Sequence, residues 1–138
     1  MLKKSTKKSQ KFSYTLFIDN EKPIMINHRY KIQRSIRSVQ HPNHYFTYSG
    51  NYFFNISEGN HRIILKPAED KRYPVLLRML KKDFDKVANN RNELTPMVFQ
   101  SNYKVMVEGK PVSYYQLSKN RPLQLDIDGS KKLRILSR

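Results

Sequence analysis

His41-Pro42-Asn43-His44 sets two imidazoles three residues apart in a proline turn, a spacing from which both could reach one metal ion. The chain brings no further ligands at helical spacing to that turn. It has no cysteine, which excludes disulfides, thiolate zinc sites and cysteine nucleophiles. His28 falls in the apolar register of a strand and His61 beside a turn, positions that suit a packed or a surface imidazole better than a base. Carboxylates pair at Glu69-Asp70, Asp83/Asp85 and Asp126/Asp128. Asp126 and Asp128 would share one strand face about 7 Å apart, a separation suited to acid–base work on a glycoside. Without a cleft to raise a pKa, they read instead as solvent-facing partners of Lys131, Lys132 and Arg134. Four glycines supply no phosphate-cradling loop. The chain is therefore expected to be non-enzymatic, with no cofactor and no metal.

Charge carries the stronger signal. Twenty-seven Lys and Arg against eleven Asp and Glu give +16 and a pI near 10.1. That exceeds the net charge of about 2–8 that keeps a small domain soluble. From Lys22 to Ser57 there is no acidic residue, while Arg29, Lys31, Arg34 and Arg37 accumulate beside Tyr45, Phe46, Tyr48 and Tyr52. Guanidinium forks match phosphate and sulfate, and exposed aromatics stack on bases or sugar rings. The opening "MLKKSTKKSQK" adds Lys3, Lys4, Lys7 and Lys8. These eight basic residues form the candidate polyanion-binding set. The partner expected is an anionic glycan, a lipid headgroup or an acidic protein surface, and nucleic acid is the alternative. RRM, helix-turn-helix and OB-fold signatures are absent.

The elements that must position this set read as strands. Residues 1–11 are expected to be a disordered basic arm, and residues 12–138 one domain. The start has no apolar run of about 7–15 residues that would make a signal peptide, and nowhere do about 18 apolar residues run together. "FSYTLFID" and "IMINHRYKIQRSI" both alternate with period two. The second places Ile24, Ile26, His28, Tyr30, Ile32, Arg34 and Ile36 on one face, with Arg29 and Lys31 on the other. Its length implies a bulge or bend near His28–Tyr30. "YFTYSGNYFFNI" reads as two short strands, and Glu58-Gly59-Asn60 as the turn of a hairpin whose return strand is His61–Lys66. Leu77, Leu80, Phe84 and Val87 have helical spacing and predict one short helix near residues 74–90. The rival reading makes Val75–Leu80 a strand. Later segments return to alternation, with turns at "EGKP" and "NRP". The fold class is all-β, an antiparallel β-sandwich of Ig-like or jelly-roll-like type.

"YFFNISEGNHRIILKP", with Gly59, His61 and the alternating Ile63 and Leu65, resembles the hairpin of small bacterial Ig-like or PEGA-type β-sandwich domains. The resemblance spans about sixteen residues, and Glu58 stands where such hairpins have Pro. It implies an accessory domain at the cell envelope with no catalytic residues.

Overall fold

The computed structural model describes residues 2–3, 9–40, 44–68, 75–82 and 93–138. Among them the regular structure is entirely β. In chain order the strands are β1 (Leu2–Lys3), β2 (Ser9–Ile18), β3 (Ile24–Ser38), β4 (His44–Thr47), β5 (Gly50–Pro67), β6 (Leu76–Lys82), β7 (Glu93–Leu94), β8 (Asn102–Val107), β9 (Lys110–Gln116) and β10 (Leu123–Ser137). Every pairing is antiparallel, in the order β1-β4-β3-β2-β5-β10-β6-β9-β8, with β7 beside β6. A further pairing of β3 with β8 brings that path back on itself. The result is an all-β, sandwich-like fold. No helix among the described residues is long and apolar enough to cross a membrane.

Two irregularities allow one sheet to bend this far. In β3, Gln33 faces Phe46 and Arg37 faces Tyr45, so neighbours on β4 are matched by residues four apart on β3. The bulge lies here, not at the expected His28–Tyr30, where β3 pairs regularly with β2. It bends β3 so that Ile24–Lys31 pair with β2 while Arg37 and Ser38 pair with β8. The second irregularity crosses β5 and β10, whose register shifts between Gly129 and Lys131. Gly59 lies opposite Gly129 with φ of 104°. The expected hairpin at Glu58–Asn60 is therefore corrected. β5 is one continuous strand of 18 residues, paired along its length with β10. Glycine at 59 serves a kink within a strand, a use that sequence cannot distinguish from a turn. The hairpin that carried the family resemblance is therefore not formed within residues 50–67.

Two cores result. The first holds Phe12, Tyr14, Leu16, Ile26, Ile63, Leu65, Leu77, Met79, Leu125, Leu133 and Ile135 among others. The second holds Ile36, Phe46, Leu76, Leu80, Val105, Tyr114 and Leu136. β6 sits between β10 and β9 and sends Leu77 and Met79 into one core, Leu76 and Leu80 into the other. The helix expected near 74–90 is thereby overturned over Leu76–Lys82, and residues 83–90 lie outside the described residues. A strand buried on both faces loses its alternation and becomes a continuous apolar run, in which spacing of three and four appears by chance. At the other end, β2 starts at Ser9 and Leu2–Lys3 pair with β4, so parts of the expected arm belong to the sheet.

Candidate functional site

β2 and β3 pair in a register that sets Lys11 directly opposite Arg29, Ser13 opposite Asn27 and Thr15 opposite Met25. Directly opposed residues share a face, so these side chains lie on the side away from Phe12, Tyr14 and Ile26. Lys11, Arg29 and Lys31 are all exposed. Like charges directly opposite destabilise a sheet. Here they stand together, and no carboxylate among the described residues pairs with Arg29 or Lys31. Tyr48, which is 54% exposed, donates its backbone N–H to the Lys31 carbonyl at 2.9 Å and sets an aromatic ring at the margin of the basic face.

The candidate set divides. Arg29 and Lys31 form the face just described, with Lys11 as a member that the arm reading had set apart. The alternation of Lys11, Ser13 and Thr15 was the signal for it. Arg34 is exposed within the bulge. Arg37 lies elsewhere, at the β3–β4–β8 junction, with its guanidinium carbon 4.7 Å from the Tyr45 ring centroid. One Arg37 Nη is buried and meets no hydrogen-bond partner among the described residues. Lys3 is in β1, and Lys4, Lys7 and Lys8 lie outside the described residues.

The carboxylates and histidines take other work. Asp126 accepts Arg62 Nε at 3.0 Å and Nη2 at 3.4 Å, so its partner is the guanidinium facing it across β5 and β10, not the lysines near it in sequence. Glu69, Asp70, Asp83, Asp85 and His41 lie outside the described residues. His61 anchors a constellation that sequence reading missed. Its Nδ1 is 2.6 Å from Asp19 Oδ2, and its Nε2 is 3.3 Å from Ser57 Oγ. That connectivity is the one used in acyl transfer. The remaining contacts argue otherwise. Nε2 also lies 3.1 Å from the Ser57 carbonyl and 3.3 Å from the Glu58 carbonyl, and carbonyls only accept. The two carbonyls favour a proton on Nε2, and while Nε2 carries that proton it cannot take one from Ser57. The Asp19 carboxylate and the two carbonyls raise the His61 pKa, while the Arg62 backbone N–H and His61 lower that of Asp19.

The group is a charged clasp between the β2–β3 turn and the β5 kink. Asp19, with φ of 51°, accepts the Arg62 N–H at 2.8 Å and donates its own N–H to the Arg62 carbonyl at 2.9 Å. Asp19, Asn20, Asn60, His61, Arg62 and Asp126 border an open cleft of about 690 Å³ whose charged groups pair with one another. The His61 contribution is complete below pH 6.5 and is lost as pH rises through its raised value. The Asp19 contribution is present above 3.8 and is lost as pH falls through its lowered value.

His28 behaves in the opposite sense. It stacks on Tyr30 at 4.9 Å with Phe12 and Tyr14 nearby, and its Nε2 is buried with no partner among the described residues. Burial lowers its pKa, and burial pushes the neighbouring Tyr30 hydroxyl up to about 12. The unfolded chain takes up a proton near pH 6.5 that folded His28 takes up only at lower pH, so stability falls as pH drops below 6.5. His28→Phe should raise stability by about 1–3 kcal/mol, the cost of an orphaned buried polar group. The gain in chemical denaturation should be larger near about pH 5 than near about pH 8. A gain independent of pH would show that folded His28 protonates freely.

No protein-family model, curated protein or solved structure matches this chain.

Proposed function

We propose that the chain is a non-enzymatic binding domain that holds an anionic polymer on the outer face of β2 and β3. The observation that carries this reading is Lys11 directly across from Arg29, with Lys31 two residues on, all exposed. A sheet built only for stability would separate those charges or alternate them with carboxylates. The same face offers Ser13 and Asn27, already bonded to each other, and Lys66 opposite Thr15. A chain with net charge +16 draws polyanions from a distance, and this face gives them a place to dock.

The test is a salt series with two probes, a sulfated polysaccharide and an oligonucleotide. In the Arg29→Ala/Lys31→Ala double variant, binding should weaken. The log–log salt slope should flatten by about 0.7–0.9 for each phosphate that the variant no longer neutralises. Lys110→Ala/Arg121→Ala removes the same charge from two exposed positions, the first residue of β9 and the bend before β10, and should change the slope less. Fold stability should shift by no more than about 0.5 kcal/mol in the Arg29/Lys31 variant, because only exposed and mutually repelling charge is removed. Unchanged binding of both probes would refute this face as the site.

A further inference from the structure

β5 and β10 carry a second basic surface, built by register alone. Phe53 lies directly opposite Arg134, and Asn55 opposite Lys132. Phe53 is 44% exposed, an unusual position for a phenylalanine in a chain whose apolar fraction is only 38%. Its ring centroid lies 5.6 Å from the Arg134 guanidinium carbon and 6.0 Å from Lys132 Nζ. Arg134 is not free to wander, since its Nε donates to Asn51 Oδ1 at 2.8 Å. From Asn51 to Ile56, β5 pairs only with β10 among the described residues.

This surface adjoins the β2–β3 face. Tyr48 is bonded to Lys31, and Asn51, three residues further along, is bonded to Arg134. Three extended residues span about 10 Å. Gly50 packs against the Tyr30 ring and fixes the start of β5 against β3. The ordered series is therefore Arg29 and Lys31, then Tyr48, then Phe53 with Arg134 and Lys132. Cations alone would suit any polyanion. A partly exposed ring with two cations beside it, one of them tethered, suits one whose charges alternate with flat apolar groups. A sulfated sugar offers a ring only its C–H face and a lipid headgroup offers none, whereas single-stranded nucleic acid pairs one flat π-face with every phosphate.

We propose that Phe53 is a stacking platform for a base of single-stranded nucleic acid, with Arg134 and Lys132 receiving the flanking phosphates and the strand running on toward Lys31 and Arg29. The proposal rests on the anionic-polymer reading and names the polymer.

The test compares three probes: oligothymidylate, an abasic oligonucleotide of the same length, and heparin. The wild type should prefer oligothymidylate to the abasic strand. Phe53→Ala should bind oligothymidylate about five- to a hundredfold more weakly, the range for one lost base stack, and should lose that preference. Its binding of the abasic strand and of heparin should be unchanged, and Phe53→Tyr, which keeps the ring, should resemble the wild type. Thermal melts should confirm that these exposed substitutions leave the fold intact. Equal binding of the base-bearing and abasic strands by the wild type, or equal loss of all three probes in Phe53→Ala, would overturn the proposal. If Arg29→Ala/Lys31→Ala weakens heparin and oligothymidylate binding while Phe53→Ala weakens neither, the platform fails and the basic face stands. If Arg29→Ala/Lys31→Ala changes neither probe, the basic face fails, and a base preference that Phe53→Ala abolishes would leave the platform standing alone.

Discussion

Gly129→Ala should destabilise the protein by about 3 kcal/mol, the upper end of what forced overpacking costs. A Cβ built at position 129 would lie 1.6 Å from the Ser57 carbonyl oxygen and 3.1 Å from Ile56 Cγ2. The obstacle is backbone, so no rotamer change relieves it. β5 and β10 would have to separate where they bend together, next to the clasp that His61 makes with the Ser57 and Glu58 carbonyls. Gly59, on the facing strand, provides the control. A Cβ there meets nothing within 4 Å, and only its φ of 104° penalises a side chain. Gly59→Ala should cost about 1–2 kcal/mol, the strain of a left-handed conformation alone. Denaturant titration of both variants separates the two causes. Equal losses would mean that the β5–β10 approach is looser than the Gly129 contacts indicate.

Leu77→Ala and Leu80→Ala should each cost about 2–5 kcal/mol, because both side chains are fully buried. Their relation tests the fold more sharply than their size. On a helix, residues three apart line one stripe and share neighbours. On β6 they point to opposite faces, Leu77 toward Leu133 and Ile135, Leu80 toward Leu136 and Tyr114. Cavities in two separate cores should add, so the double variant should lose the sum of the singles to within about 0.5 kcal/mol. A coupling of about 1 kcal/mol or more would place the two residues in one cluster and refute β6 as a strand buried on both faces. If the double variant is too unstable to measure, Leu77→Val with Leu80→Val asks the same question with a smaller loss of stability.

The β3 bulge, the β5–β10 kink and the doubly buried β6 together fold one sheet until β3 meets both β2 and β8. Bending β3 after Lys31 is what keeps Arg29 and Lys31 on an outer face while Gln33, two residues on, turns inward to accept Arg138 Nη1 at 2.8 Å. Arg138 is itself buried, and it also donates to the Thr47 carbonyl and the Tyr114 hydroxyl. The outer face is therefore bounded on one side by a buried polar network, which limits the part of the proposed docking surface that lies on β3 to the stretch before the bulge.

Alternation determined much of this from sequence alone. Tyr14, Leu16 and Ile26 face inward and Arg29 and Lys31 outward, as period two requires, because a strand with one solvent face cannot slip by one residue without exposing its apolar set. The all-β class followed from repeating that pattern between turns, and the abundance of cations from composition. Tertiary structure decided the rest. Gly59 could serve a turn or a kink, and only the pairing of all of β5 with β10 chose the kink. Leu76–Leu80 could be helix or strand, and burial on both faces, a property of its neighbours and not of the segment, chose the strand. The same holds for the two placements on which the proposals rest. Lys11 meets Arg29, and Phe53 meets Arg134, through registers that join residues 18 and 81 positions apart. Local chemistry specifies which way a side chain points along its own strand. What stands beside it is set by the partner strand, and that partner is chosen by the packing of the whole chain.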